Sequence, residues 1–198
     1  MKPFDPDEYP DFAEIWREAR PYTMTSPERG FALYQAVVAA LDNDVPGAFV
    51  ECGVWRGGSA MIMAATLKRR NARRKLYLFD TYEGMTEPGE RDVDFQGNTA
   101  ADLMAGSKGD RVAELVVASA DIDGVRAAVA STGYDMEDVV FVKGDVRETL
   151  GATETGSIAL LRLDTDFYDS TLAELETLWP RLERSGLYII DDYGHWKG

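Results

Sequence analysis

Two pairs of aspartates close apolar segments of this chain. Asp164 and Asp166 end the run SIALLRLDTD at 157–166, and Asp191 and Asp192 end the run GLYIIDD at 186–192. Carboxylates this close raise one another's pKa unless a positive charge neutralises them. Ends of neighbouring strands lie about 5 Å apart, so Asp164, Asp191 and Asp192 can share one ion if the two runs are adjacent strands. An all-oxygen ligand set without cysteine favours a hard cation, Mg²⁺ first and Ca²⁺ or Mn²⁺ next. Such an ion lowers the pKa of a bound hydroxyl as it does for water. Three side chains then compete to take the proton: Asp164, Asp166 and His195, the sole histidine, three residues past Asp192. The competing reading of His195 is a packing residue near the end of the sequence.

A second constellation lies near residue 50. In ECGVWRGGSA at 51–60, Gly53, Gly57 and Gly58 allow a ligand close to the backbone ahead of a helix whose N-terminus is electropositive. A dinucleotide fingerprint needs a glycine where Trp55 stands, which disfavours NAD, and the chain has no phosphate-binding P-loop pattern. An E-x-G-x-x-x-G turn followed by an acid, Asp80, at the end of the next strand suits a cofactor with a ribose diol and an amino acid but no pyrophosphate. S-adenosylmethionine is such a molecule. A hydroxyl activated by the ion and held in line with its sulfonium methyl would yield a methyl ether, with positioning contributing much of the rate.

These residues need a scaffold that brings them to one edge. Five apolar runs, at 47–53, 75–80, 138–145, 157–166 and 186–192, are rich in β-branched and aromatic residues and nearly continuous, as strands covered on both faces are. Helical patterns alternate with them: Met61–Leu67 behind Ser59 as a cap, Val125–Val129 behind Asp121 and Asp123, and Leu172, Leu175, Leu178, Trp179 and Leu182 behind Ser170 with Thr171 and Glu174 as a capping box. The expected fold is α/β, a doubly wound and mostly parallel sheet, whose ligands bind at the C-terminal strand ends. Each run ends in or beside an acid: Glu51, Asp80, Asp145, Asp164 with Asp166, and Asp191 with Asp192.

Two helices precede the first strand, the second starting with Ser26 as cap and Pro27 at its first position. Residues 1–45 are therefore expected to form a helical cover over cofactor and substrate and 46–198 the Rossmann-like core that binds S-adenosylmethionine, within one domain. The connection from Thr81 to Ala120 is long, as site-covering loops are; Tyr82 and Phe95 within it are candidate wall residues for an acceptor.

Composition narrows the choices. The 198 residues carry 35 acidic and 21 basic side chains, a net charge of −14, which disfavours a nucleic-acid partner. The basic run KRRNARRK at 68–75 reads as the close of a helix rather than an interaction patch. No apolar stretch approaches membrane-spanning length and no leader pattern follows Met1, so a cytoplasmic protein without a membrane partner is expected. Cys52, the only cysteine, lies among apolar neighbours and reads as a buried thiol without a chemical role.

The combination of VECGVWRGGSA, LFDTYEGMTEP, STGY, FVKGDVRETL, IALLRLDTDFYDSTLAELETLWPRL, YIIDDYGHW and the earlier YTMTSPERGFAL resembles the macrocin O-methyltransferase family, from about residue 20 onward. The resemblance implies a class I methyltransferase fold and Mg²⁺-dependent transfer from S-adenosylmethionine to a sugar hydroxyl of a macrolide- or aminocoumarin-type secondary metabolite. A glycosylated or polyol small molecule would be the acceptor. By position, it assigns Glu51, Gly53 and Trp55 to Ser59, including Gly57 and Gly58, to the methionine part of the cofactor. Asp80 with Tyr82 and Glu83 would hold the ribose, Gly144 and Asp145 would border the adenine, and Thr23, Met24 and Thr25 would fold over the cofactor. Asp164, Asp191 and Asp192 match the metal ligands, and Asp164 also matches the family's proposed base. Phe167 stands where catechol-type relatives place a lysine, which excludes a lysine base.

The family continues past GHWKG with a helix and an antiparallel hairpin, so the chain reads as a shortened form whose fifth strand leaves apolar surface uncovered. That surface and the two extra N-terminal helices lead to an expectation of self-association. Two rival functions are an oxidoreductase with a degenerate nucleotide turn and a binding or assembly protein that keeps the cofactor fold without turnover.

Overall fold

A computed structural model describes residues 3–106 and 120–197. All five apolar runs form strands: β1 (Ala48–Cys52), β2 (Leu76–Asp80), β3 (Val139–Lys143), β4 (Ile158–Leu163) and β5 (Leu182–Ile190). They pair in parallel in the order β3-β2-β1-β4-β5. The chain winds outward from β1 to β3 and then crosses to β4 and β5, so the strand order reverses between β1 and β4, where open α/β sheets bind ligands. The helices are α1 (Pro10–Ala19), α2 (Pro27–Asp42), α3 (Gly58–Arg69), α4 (Ala100–Ala105), α5 (Ile122–Ser131), α6 (Val146–Thr149) and α7 (Tyr168–Leu178). Of the long 81–120 connection, residues 107–119 lie outside the described residues.

Two apolar layers sandwich the sheet. Phe49 and Leu160 pack with Phe12, Ile15 and Trp16 of α1, Leu33 and Val37 of α2, Ile62 and Met63 of α3, and Val125 and Val129 of α5. On the other face, Val50, Cys52, Leu161 and Leu163 pack with Val146 of α6 and Leu178 of α7. Each large apolar side chain fully buried here contributes about 1.5–3 kcal/mol. The N-terminal helices share the core of the sheet.

Local signals worked unevenly. Ser26 caps α2, its Oγ accepting from Arg29 N at 3.3 Å, with Pro27 at the first helical position, and Asp121 caps α5 through Gly124 N at 2.7 Å. Ser59 is not a cap: α3 begins one residue earlier, and the cap is Gly57 at φ 90°, a conformation that costs a side chain dearly. The Ser170 cap and the Thr171–Glu174 capping box are also absent. α7 starts at Tyr168, Ser170 Oγ donates to the Phe167 carbonyl at 2.8 Å, and Glu174 is fully buried beneath the β4 end. Its apolar stripe is only partly inside. Leu178 is buried, Leu172 and Trp179 are exposed, and Leu182 has passed into β5.

β5 starts four residues before the apolar run that announced it, because an irregularity opposite Ile158–Leu160 lets the polar residues after Leu182 join the edge strand. The uncovered surface expected there is marked by Trp179 against the half-exposed Tyr188, ring centroids 5.0 Å apart.

The basic run does more than close α3. Arg69 pairs with Glu14, Arg70 with Asp42, Arg73 with Asp135 and Asp138, and Lys75 with Asp138, while Arg74 donates to the Val45 carbonyl. These cations stitch the N-terminal helices and the β2–β3 edge together. Cys52 is buried, and burial pushes its thiol up. No helix among the described residues is long and apolar enough to cross a membrane.

Candidate functional site

The C-terminal strand ends open into a cleft of about 340 Å³, within the range of small-molecule sites. One wall is the segment Thr23–Thr25 ahead of α2; the floor is the turn Gly53–Trp55 with Gly58 and Ser59 at the start of α3; Asp80, Gly144 and Asp145 close one end. Asp164, Thr165 and Asp166 after β4, with Asp191, Asp192, His195 and Trp196 after β5, close the other. Edge and switch point thus coincide with the acids.

Five residues assigned to the cofactor by resemblance, Glu51, Arg56, Gly57, Tyr82 and Glu83, do not line the cleft; Arg56 is exposed, its guanidinium over the Trp55 ring. Gly57 lies below the turn as the α3 cap, and Glu51 is fully buried inside β1. Tyr82 is buried, its hydroxyl donating to the Leu78 carbonyl at 3.0 Å, and burial raises its pKa. Glu83 points outward to Lys143 Nζ at 2.6 Å. Apart from Arg56, these positions support the walls from behind.

Asp80 anchors the floor. Its Oδ2 accepts from Val54 N at 2.6 Å and Trp55 N at 2.9 Å, and its Oδ1 from Tyr82 N at 2.7 Å. One carboxylate therefore fixes both the glycine turn and the loop after β2. Gly53 cannot be replaced without displacing the acid edge, since a Cβ there would lie 2.0 Å from the Asp164 carbonyl oxygen.

At the other end, carboxylate oxygens of Asp164, Asp191 and Asp192 lie within 4.8 Å of one another. Oxygens opposite each other across Ca²⁺ are about 5 Å apart and across Mg²⁺ about 4 Å. The spacing suits a hard divalent cation directly or after a small inward movement. Burial, with repulsion from Asp191, Asp192 and Glu51, holds Asp164 well above the usual carboxylate range despite Arg162. Asp166, strained at φ 66°, is raised by burial, by a hydrogen bond with Asp192 and by the charges of Asp192 and Asp164. A divalent ion would offset this repulsion, so the donor set fits one.

Sequence reasoning missed Arg162. It sits in β4 beside Glu51 of β1 in the parallel register, so both side chains leave the sheet on one face. Its Nη1 lies 2.7 Å from Glu51 Oε1 and 2.8 Å from Asp164 Oδ2, and its Nη2 lies 2.9 Å from Asp191 Oδ1. Burial opposes the Arg162 charge, but Asp164, Glu51 and Asp191 together raise its pKa. Burial lifts Glu51 to about 7 against the pull of Arg162. The visible signal was a charged residue inside each of two otherwise apolar strands. A second arginine, Arg29 of α2, is largely exposed and holds Asp191 Oδ2 at 3.3 Å.

The mouth beyond the acids is aromatic. His195 meets Phe95 and Trp196 edge-on, with centroids 5.8 and 4.9 Å apart, and Trp196 meets the buried Phe167 at 5.8 Å. The loop at 93–99 is hydrogen-bonded to this segment: Phe95 N donates to the His195 carbonyl and Lys197 N to the Val93 carbonyl, both at 2.8 Å.

The sequence profile of the macrocin-O-methyltransferase (TylF) family matches residues 10–198. Among curated proteins, the chain is 37% identical over 174 residues to 8-demethyl-8-(2,3-dimethoxy-alpha-L-rhamnosyl)-tetracenomycin-C 4'-O-methyltransferase of Streptomyces olivaceus, covering 87% of this chain and 62% of that one. It is 32% identical to demethyldecarbamoylnovobiocin O-methyltransferase of Streptomyces niveus, covering 88% and 63%. Among solved structures, the O-methyltransferase NovP superposes with a TM-score of 0.71 at 30% identity, covering 86% of this chain and 66% of that one. The chain spans just under two thirds of the length of these relatives.

Proposed function

The chain belongs to the macrocin O-methyltransferase family, and from that premise we propose that it serves a divalent-metal-dependent transfer of methyl from S-adenosylmethionine to a sugar hydroxyl of a natural product. The observation that carries the metal-dependent part is the convergence of Asp164, Asp191 and Asp192 at the edge of a cleft whose other end is closed by Asp80, Gly144 and Asp145. The curated relatives support a glycosylated acceptor, since the tetracenomycin enzyme's name specifies a rhamnosyl-bearing molecule.

Asp164, Asp191 and Asp192 would hold the ion. Gly53, Trp55, Gly58 and Ser59 would border the methionine part of the cofactor, Asp80 the ribose, and Gly144 and Asp145 the adenine. Thr23, Met24 and Thr25 would close over it; Thr25 Oγ1 is buried without a hydrogen-bond partner among the described residues, as a group awaiting a ligand would be. Glu51, Gly57, Tyr82 and Glu83 would act from behind the walls. When bound, S-adenosylmethionine supplies the electrophilic methyl group and the ion supplies charge that acidifies the acceptor hydroxyl.

The protein's own part is orientation, exclusion of water and removal of one proton. Asp166 is the proton acceptor in this reading. It lines the cleft and is outside the metal set, free to take a proton from the acceptor. Asp164 has one oxygen committed to Arg162. His195, ringed by Phe95 and Trp196, would form part of the acceptor wall.

Incubation with methyl-labelled cofactor, Mg²⁺ and rhamnosyl glycosides should place label on a sugar ether oxygen, located by NMR. Label on nitrogen, or transfer undiminished by EDTA, would overturn the proposal.

A further inference from the structure

We infer that Arg162 is a positioning residue for the metal ligands: its buried guanidinium pins one oxygen of Asp164 and one of Asp191, leaving the second oxygen of each for a divalent ion. This rests on the proposed reading of the acid cluster as a metal site.

The distances carry the inference. Nη1 serves Glu51 and Asp164 together, Nη2 serves Asp191, and all three contacts fall between 2.7 and 2.9 Å. Only 4% of the Arg162 side chain is exposed and none of Glu51. Glu51 therefore anchors the guanidinium from the neighbouring strand, and the guanidinium transmits the rigidity of the sheet to two carboxylates that otherwise sit on loops after β4 and β5. Register places the four groups together: Glu51 pairs with Arg162, Asp164 N donates to the Cys52 carbonyl, and Asp191 N to the Leu163 carbonyl. A planar fork can meet three carboxylates in fixed directions, whereas an ammonium on a flexible stem cannot. Arg29 offers no such frame, being exposed and 3.3 Å from Asp191 Oδ2, and would yield to an entering ion.

Arg162→Lys separates geometry from charge, because the positive charge near the ion is kept while the fork is lost. The whole chain would be titrated with Mn²⁺, following free metal by electron paramagnetic resonance, and separately with S-adenosylhomocysteine by calorimetry. Arg162→Lys should lose about 10- to 100-fold in Mn²⁺ affinity, the usual effect of removing a group that orients a metal ligand. Its S-adenosylhomocysteine affinity should stay within about threefold of the unmodified chain.

A folded variant that binds Mn²⁺ as tightly as the unmodified chain overturns the inference. An equal loss for both ligands also overturns it, since that would be general structural support. Should Arg162→Lys not fold, Glu51→Gln removes the anchoring charge at constant size; it should weaken Mn²⁺ severalfold, and unchanged affinity overturns the inference. Failure of the unmodified chain to bind Mn²⁺ would refute the metal reading itself and this inference with it. Tight binding that the variants leave unaltered refutes only the role of Arg162.

Discussion

Asp92 caps a helix from a distant loop: its Oδ1 accepts a hydrogen bond from Tyr168 N at 2.8 Å, at the start of α7, where Phe167 supplies no side-chain cap. Its Oδ2 accepts from Gly89 N at 2.6 Å, so the same buried carboxylate pins the loop after β2 to the helix behind Asp164 and Asp166. Asp92→Ala should cost about 1–3 kcal/mol, the loss of a cap with two N–H groups left unpaired. Urea denaturation measures this, and a midpoint equal to that of the unmodified chain would contradict the linkage.

Removing one metal ligand should act on the ion before the cofactor. Asp192→Asn keeps the size of the side chain but removes a charge, and is expected to weaken Mn²⁺ at least about 10-fold while S-adenosylhomocysteine still binds. Calorimetry with each ligand separates the two, and an unaltered Mn²⁺ isotherm would remove Asp192 from the set.

Asp166→Asn should lower turnover by about 10²- to 10⁴-fold, the range for a lost general base, with S-adenosylhomocysteine affinity nearly unchanged. Turnover of the labelled acceptor checks this. If turnover survives in Asp166→Asn and falls in His195→Gln, the proton acceptor is His195.

Glu174 supplies a pH test. Burial, aided by Asp164 and opposed by the Thr165 hydroxyl at 2.8 Å, raises it from 4.5 to about 8. Between these values the folded chain holds a proton that the unfolded chain has released. Stability must therefore fall as pH rises through this window, by at most about 1.4 kcal/mol per pH unit from this group. Glu174→Gln mimics the protonated form, so it should match the parent near pH 4.5 and exceed it in stability at pH 8. Paired urea titrations across that range give the difference, and a pH-independent difference would assign the effect elsewhere.

Much of this was legible in the chain. Continuous apolar runs announced buried strands, helical periods between them announced crossovers, and an acid at or after each run marked one sheet edge. Asp164, Asp166, Asp191, Asp192 and Asp80 reached the cleft because a parallel sheet directs every strand's C-terminal end the same way. Caps were read well where the side chain met its own helix, as at Ser26 and Asp121, and poorly at Ser59 and Ser170, where Gly57 and the remote Asp92 do the work.

The sequence by itself determined the α/β order and the edge on which the acids gather, because run length and period are local properties. Only the tertiary structure decided that Glu51 meets Arg162 inside the sheet, that Tyr82 and Glu83 lie outside the cleft lining, and that Arg162 divides itself among three carboxylates. Glu51 and Arg162 are 111 residues apart, and they meet only because β4 lies next to β1 in one register. Strand order and register are set by packing of the whole sheet, and no local pattern encodes them.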